Sequence, residues 1–330
     1  AFTQSIHAQL TLNKPAVSQS VIYEARANAN DRVWNVNPDN NSVSVFDAVT
    51  NRKLREITVD RDQRSLAIAP NGRIWVTNKK SATISIINQN NFVVSTVSLP
   101  NSSQPHGLAF APTGTNAYVV LEGTGQLLKL NPTTGAQVGA VATGPNPRHL
   151  SIKSSGSRAF VSRFITPRMP GESSANPNPG TNKGGEVLVV GTDSMRIINT
   201  IILQDGRRAD AAAAARGLPN YLGPAAISPD GLTAWVGSQQ ENIHRGKFRE
   251  NNELQHDNTL RSVTSRINLV NETENQADRV DHDNAAPAVT SIFGPFGSFL
   301  YSALEGSRNV AIIDPLSKSE LKRFNTDRAP

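Results

Sequence analysis

The chain has 330 residues, 37% of them hydrophobic, 18% charged and 5% aromatic, with a formal net charge of +6 and no cysteine. That is ample for one large core, while the missing thiols exclude disulfides, thiolate metal sites and a c-type haem attached within the chain. No run of 18 apolar residues exists, so no transmembrane segment is expected, and scattered Lys and Arg with so few aromatics argue against nucleic acid as a partner.

Six stretches repeat one pattern: an apolar run, a turn ending in glycine, an aromatic-rich β run, a polar loop and a second β run. Blade 1 is predicted through Val21–Ala25, Arg32–Val36, Ser42–Asp47 and Lys53–Val59. Blade 2 follows as Leu66–Ala69, Ile74–Asn78, Thr83–Ile87 and Val93–Leu99, and blade 3 as Leu108–Ala111, Ala117–Leu121, Gln126–Leu130 and Gln137–Ala142. Alternating β-branched and polar residues with Asn, Gly and Pro between them support these strands. The turn glycines Gly72, Gly114 and Gly156 are spaced by 42 residues, the period of a propeller blade, which cannot bury both faces alone and so must stack on neighbours.

Blades 4 and 5 are stretched, since Gly156, Gly231 and Gly297 lie 75 and 66 residues apart. The excess forms three insertions: residues 163–185, residues 204–223 with a candidate helical turn at Ala211–Ala215, and residues 238–258. In a propeller, B–C loops and D–A connections leave on one face, so all three insertions are expected there. Long loops on a rigid scaffold are where binding resides. The expected fold is therefore all-β, a single β-propeller domain over 1–330 built from four-stranded antiparallel blades. Arg328–Pro330 occupies the position just before an inner strand, and Ile6–Leu12 reads as a lone β segment suited to an outer strand. The ring is read as seven-bladed with its last blade incomplete in this chain, to be completed by a downstream segment or a partner; a closed six-bladed ring is the alternative.

Five of the six histidines, His106, His149, His244, His256 and His282, fall in loops of the inserted face. The triplet His-Asp-Asn occurs twice, as His256-Asp257-Asn258 and His282-Asp283-Asn284. Imidazole beside carboxylate suits a transition metal, making His256, Asp257, His282 and Asp283 candidate ligands; Asp and Asn capping turns is the structural alternative. Residues preceding the inner strands are expected to converge on the axial channel: Arg64, His106, Arg148, His149, Asn220, Tyr221, Asp283, Asn284 and Arg328, with His244, Arg245 and Arg308 nearby. Such a set suits a small anion or an acidic partner surface, or ties connections to adjacent blades. No Gly-x-Ser-x-Gly elbow or phosphate-binding glycine loop is present, so no catalytic residue is assigned.

Ile74-Trp75-Val76-Thr77-Asn78 with Thr83–Ile87, and Asn309–Asp314, resemble the YVTN-type β-propeller repeats of bacterial and archaeal envelope and surface proteins. That resemblance implies a periplasmic or cell-surface setting. A narrower likeness, on Arg216–Leu222, Ser228–Gly231, Asp281–Asn284 and Leu304–Arg308, is to propeller portions of bacterial proteins that continue into a di-haem, cytochrome c peroxidase-like region. It implies a haem outside this chain, on a segment or partner. Three functions are thus expected in order: a non-catalytic module binding a protein, surface polymer or small anion; the propeller part of a haem oxidoreductase; a metal-dependent propeller hydrolase or lyase.

Overall fold

A computed structural model describes residues 14–169, 173, 183–206, 216–243, 259–285 and 287–327. The first element is a two-residue strand, β1 (Ala16–Val17). Blade 1 follows as β2 (Val21–Glu24), β3 (Arg32–Asn37), β4 (Ser42–Asp47) and β5 (Lys53–Thr58); blade 2 as β6 (Gln63–Ile68), β7 (Ile74–Asn78), β8 (Thr83–Ile87) and β9 (Val94–Ser98). Blade 3 holds β10 (Pro105–Phe110), β11 (Ala117–Leu121), β12 (Gln126–Leu130) and β13 (Gln137–Ala142). Blade 4 holds β14 (Pro147–Ile152), β15 (Arg158–Arg163), β16 (Gly184–Gly191) and β17 (Arg196–Gln204). In blade 5 both outermost positions are split: β18 (Leu218–Asn220) and β19 (Ala225–Ile227) share β20 (Thr233–Glu241), and β22 (Thr273–Glu274) and β23 (Val280–His282) share β21 (Leu260–Asn268). Blade 6 is β24 (Ala288–Phe293), β25 (Leu300–Leu304), β26 (Asn309–Asp314) and β27 (Ser319–Asn325). Each blade is an antiparallel sheet in sequence order, so the molecule is a β-propeller.

The periodic glycines have one local reason. Gly72, Gly114, Gly156, Gly231 and Gly297 all close the turn between first and second strands with φ of +71 to +80°, a region that costs other residues about 1 kcal/mol. Blade 1 lacks this glycine; there the Asp31 carboxylate closes the turn by accepting the Arg26 N–H at 2.7 Å.

Two-residue alternation makes every blade apolar on both faces, and one position repeats through all six. The second strands carry Trp34, Trp75, Tyr118, Phe160, Trp235 and Tyr301 at equivalent ladder positions. The first five are 0, 0, 1, 1 and 0% exposed, each within a cluster that includes residues of the following blade. Trp34, for example, shares its cluster with Leu66, Ile74, Val76 and Ile87, and Phe160 with Ala225, Ile227 and Val236. These five seams join blades 1 to 6 in succession. Among the described residues no apolar cluster joins blade 6 to blade 1.

The N-terminal segment runs through the axis. β1 pairs antiparallel with β14 of blade 4, the Ser18 N–H donates to the Leu150 carbonyl at 2.8 Å, and Leu66 of blade 2 donates its N–H to the Gln19 carbonyl at 2.8 Å. The segment entering blade 1 thus arrives from the centre of the ring, against the inner edges of blades 2 and 4. Ile6–Leu12, expected as an outer strand, lies outside the described residues.

Candidate binding site at the mouth of the axial channel

The inner strands of blades 2, 3 and 4 begin alike. Asp62, Gln104 and Asn146 adopt left-handed backbone conformations, with φ of 65, 50 and 55°. Two residues on, the ladder skips between Gln63 and Leu66, between Pro105 and Leu108, and between Pro147 and His149. Such bulges re-aim side chains at the end of a strand, and here the residues inside them are Arg64, His106 and Arg148. Tyr221 and Asn284 are also left-handed, at 52 and 51°, so the connection geometry continues into blades 5 and 6.

What the bulges assemble is a charged cluster across blades 2, 3 and 4. Glu122, the residue after β11, accepts hydrogen bonds from Lys79 Nζ at 2.8 Å and from Arg148 at 2.6 and 3.2 Å. All three side chains are largely shielded from solvent, at 11, 18 and 20% exposure for Glu122, Lys79 and Arg148. Burial pushes the Glu122 carboxyl up, but Arg148 and Lys79 more than offset it, so its pKa lies below the ordinary carboxylate value. Arg148 also lies over the ring of Phe164, which meets Tyr221 edge-on at 5.0 Å between centroids. Arg64 pairs with Asp62 at 2.5 Å.

His106 and His149 stack edge-to-face with centroids 5.1 Å apart. Desolvation, reinforced for His106 by His149, Arg148, Lys79 and Arg64, holds its pKa well below the usual histidine value. Desolvation and Arg148 bring His149 down to about 3. Both rings are therefore neutral near pH 7, and among the described residues the buried Nδ1 of His106 has no hydrogen-bond partner. The site offers cations held by a carboxylate, neutral imidazoles able to donate or accept, and an aromatic wall. Such a set suits an anionic or hydrogen-bonding group.

Asn220 belongs to the same face: its carboxamide accepts from the Thr166 N–H at 2.9 Å and donates to Glu241 at 3.1 Å. The residues around the second His-Asp-Asn triplet do not join it. His282 is 1% exposed, its Nδ1 is 2.6 Å from Glu320 and its Nε2 2.8 Å from Thr264, so both ring nitrogens are engaged in the seam of blades 5 and 6. Asp283 is held by Arg261 at 2.9 Å, its carbonyl accepts from Arg323 at 2.6 Å, and Asn284 donates to Asp283 at 3.2 Å. Arg308 sits in the β25–β26 turn with a left-handed φ of 55°. His244, Arg245, His256, Asp257, Asn258 and Arg328 lie outside the described residues, as does most of the three insertions. Among the described residues no group of three His, Cys, Asp or Glu side chains is arranged to hold a metal.

Lys79 and Glu122 were not singled out by sequence reasoning, although a signal existed. Each directly follows a second strand, after Asn78 and Leu121, and so occupies the same position in consecutive repeats. Phe164 likewise follows Arg163 at the end of β15.

Neither a protein family nor a curated protein matches the sequence. Among solved structures, the chain is similar to hydrazine synthase of Kuenenia stuttgartiensis, with 16% identity, a TM-score of 0.75, and coverage of 100% of this chain and 92% of that one. It is also similar to the β-propeller domain of Cps50 (Swd1) of Myceliophteria thermophila, with 10% identity, a TM-score of 0.61, and coverage of 94% and 87%. At such identities the likeness concerns the fold, and it agrees with the class that the blades define, a β-propeller. Among the described residues no helix is long and apolar enough to cross a membrane.

Proposed function

We propose that this propeller is a binding module of the bacterial envelope, periplasmic or on the cell surface, and that it takes an anionic group at the mouth of its axial channel. The group is a small oxyanion or a carboxylate of a partner protein or surface polymer. The observation that carries the reading is the Lys79–Glu122–Arg148 cluster with Arg148 stacked on Phe164. Bidentate-capable Arg on an aromatic face beside neutral imidazoles is suited to a planar anion, with Glu122 orienting the cations. The envelope setting rests on the likeness to YVTN-type repeats and on the absence of cysteine. Titration with phosphate, sulfate and a polyglutamate peptide tests it. Arg148→Gln and Lys79→Gln should each weaken binding by roughly 10-fold, as loss of one charge-assisted hydrogen bond does, and added NaCl should weaken it further. Equal binding by both variants would remove the site.

A second reading is the propeller part of a larger redox enzyme carrying haem outside this chain. It is favoured by the similarity along the whole chain to a protein named a synthase, together with the sequence likeness to propellers joined to di-haem regions. Copurification from the native host with a haem-staining polypeptide would support it, and its absence under mild extraction would count against it.

A further inference from the structure

Blade 6 carries a complete outward face on which, among the described residues, no other blade is stacked. Tyr301 and Ile312 are paired across β25 and β26 as Trp75 and Ile86 are across β7 and β8. Trp75 and Ile86 are 0 and 5% exposed beneath blade 3. Tyr301 and Ile312 are only half-buried, and around them Ile292 and Phe324 are 50 and 44% exposed. The facing side of blade 1 is open in the same way. Val33 and Phe46, paired across β3 and β4, occupy the positions of Ile74 and Ile87 in blade 2, yet they too are half-buried, and Tyr23 of β2 is 59% exposed. Five seams are filled by buried apolar clusters; among the described residues the two halves of a further seam are both built and both uncovered.

We propose that this gap seats one further four-stranded blade of the chain's own repeat chemistry. Its rear face would carry aliphatic side chains at alternate positions of its first three strands, as Leu66, Ile74, Val76 and Ile87 do, to cover Tyr301, Ile312 and Phe324. Its front face would bring a second-strand aromatic residue against Val33 and Phe46 of blade 1. Continuity with the five existing seams selects this occupant over a second copy of the chain, because the uncovered residues repeat, register for register, faces that consecutive blades cover. Removing a face this apolar from water is a strong driving force, and leaving it open invites association.

The test compares seams within the 330-residue chain. Phe160→Ser, at a covered position, should lower Tm by roughly 10 °C, whereas Tyr301→Ser should lower it by less than about 2 °C, and the chain should bind ANS at the open face. Should Phe160→Ser fail to fold, Trp75→Phe against Tyr301→Phe gives the same contrast at smaller amplitude. Appending a copy of residues 60–103 after residue 330 should then raise Tm, abolish ANS binding and make Tyr301→Ser costly. Tyr301→Ser as damaging as Phe160→Ser in the unextended chain would mean that blade 6 closes on blade 1. A dimer dissociated by Ile292→Lys would mean that a second copy covers the face. Either result, or an appended blade without effect, overturns the proposal.

Discussion

Glu122 stands between two cations and serves both, so the residue matters beyond one ion pair. Replacing it with Gln would leave Lys79 and Arg148 facing each other without a counter-charge, at a cost of about 1–3 kcal/mol, measurable by denaturant titration. Because its folded pKa lies below the ordinary value, its contribution is complete above the unfolded carboxylate pKa and is lost as pH falls through the lowered folded value. The histidines add to this at higher pH. His106 and His149 have depressed folded pKa values, so the unfolded chain binds protons first. Their stabilising effect is full above the unfolded histidine pKa near 6.5 and declines as pH falls toward about 3. Stability measured from pH 7 to 4 should therefore fall, and His149→Phe should flatten the curve. An unchanged slope would show that His149 is not held neutral by its surroundings.

At the scale of single elements, the turn glycines and the axial segment make separable predictions. An added Cβ at Gly231 meets nothing within 4 Å, while its φ is +71°. Gly231→Ala thus isolates backbone strain and should cost about 1 kcal/mol without rearrangement, as read by chemical denaturation and unchanged circular dichroism. The residues after β1 are held to the axis by hydrogen bonds: the Ser18 N–H donates to the Leu150 carbonyl at 2.8 Å, the Leu150 N–H donates to Ser18 Oγ at 3.1 Å, and the Leu66 N–H donates to the Gln19 carbonyl at 2.8 Å. Ser18→Pro removes the Ser18 N–H. Amide exchange at Leu66 and Leu150 should accelerate by an order of magnitude or more, while Leu108 of blade 3, set in its own ladder, remains protected. Uniform protection after the change would mean that the segment adds nothing to the rigidity of the axis.

Across the whole molecule, the three tryptophans report the seams. Trp34, Trp75 and Trp235 are each fully buried, and Trp34 donates its indole N–H to Glu24 at 2.7 Å. Native emission should be blue-shifted and inaccessible to iodide, and the red shift on unfolding should follow the loss of blade stacking. Quenching of the native protein would show that one of the seams holding a tryptophan, between blades 1 and 2, 2 and 3, or 5 and 6, stands open.

The strands of blades 1 to 3 were legible from residues alone. The predicted ranges of Ile74–Asn78, Ala117–Leu121, Gln126–Leu130 and Gln137–Ala142 coincide with those of β7, β11, β12 and β13. The inner strands start earlier than predicted, at Gln63 and Pro105 rather than Leu66 and Leu108, because bulges break the alternation that marks a strand. In blade 5 the second strand runs on to Glu241, so polar Ser238–Glu241, read as loop, continues the ladder and pairs with Val263, Ser262, Arg261 and Leu260. Arg64, His106, Arg148 and His149 were legible as candidates from their repeat position. Lys79 and Glu122 were not, since their value lies in bridging blades. Asp283 looked equivalent to those residues, but the split outer strand of blade 5 carries it to Arg261 and Arg323 instead.

Alternation of side chains and the 42-residue recurrence of turn glycines are local properties, set by pleating and by backbone sterics within one sheet, and they determined the blade as a unit without any knowledge of its neighbours. Which charges meet at the axis, where Ala16–Gln19 runs and which blade face is left bare depend on how sheets far apart in the chain are stacked. Those juxtapositions arise from twist and packing summed around the ring, and only the tertiary structure decided them.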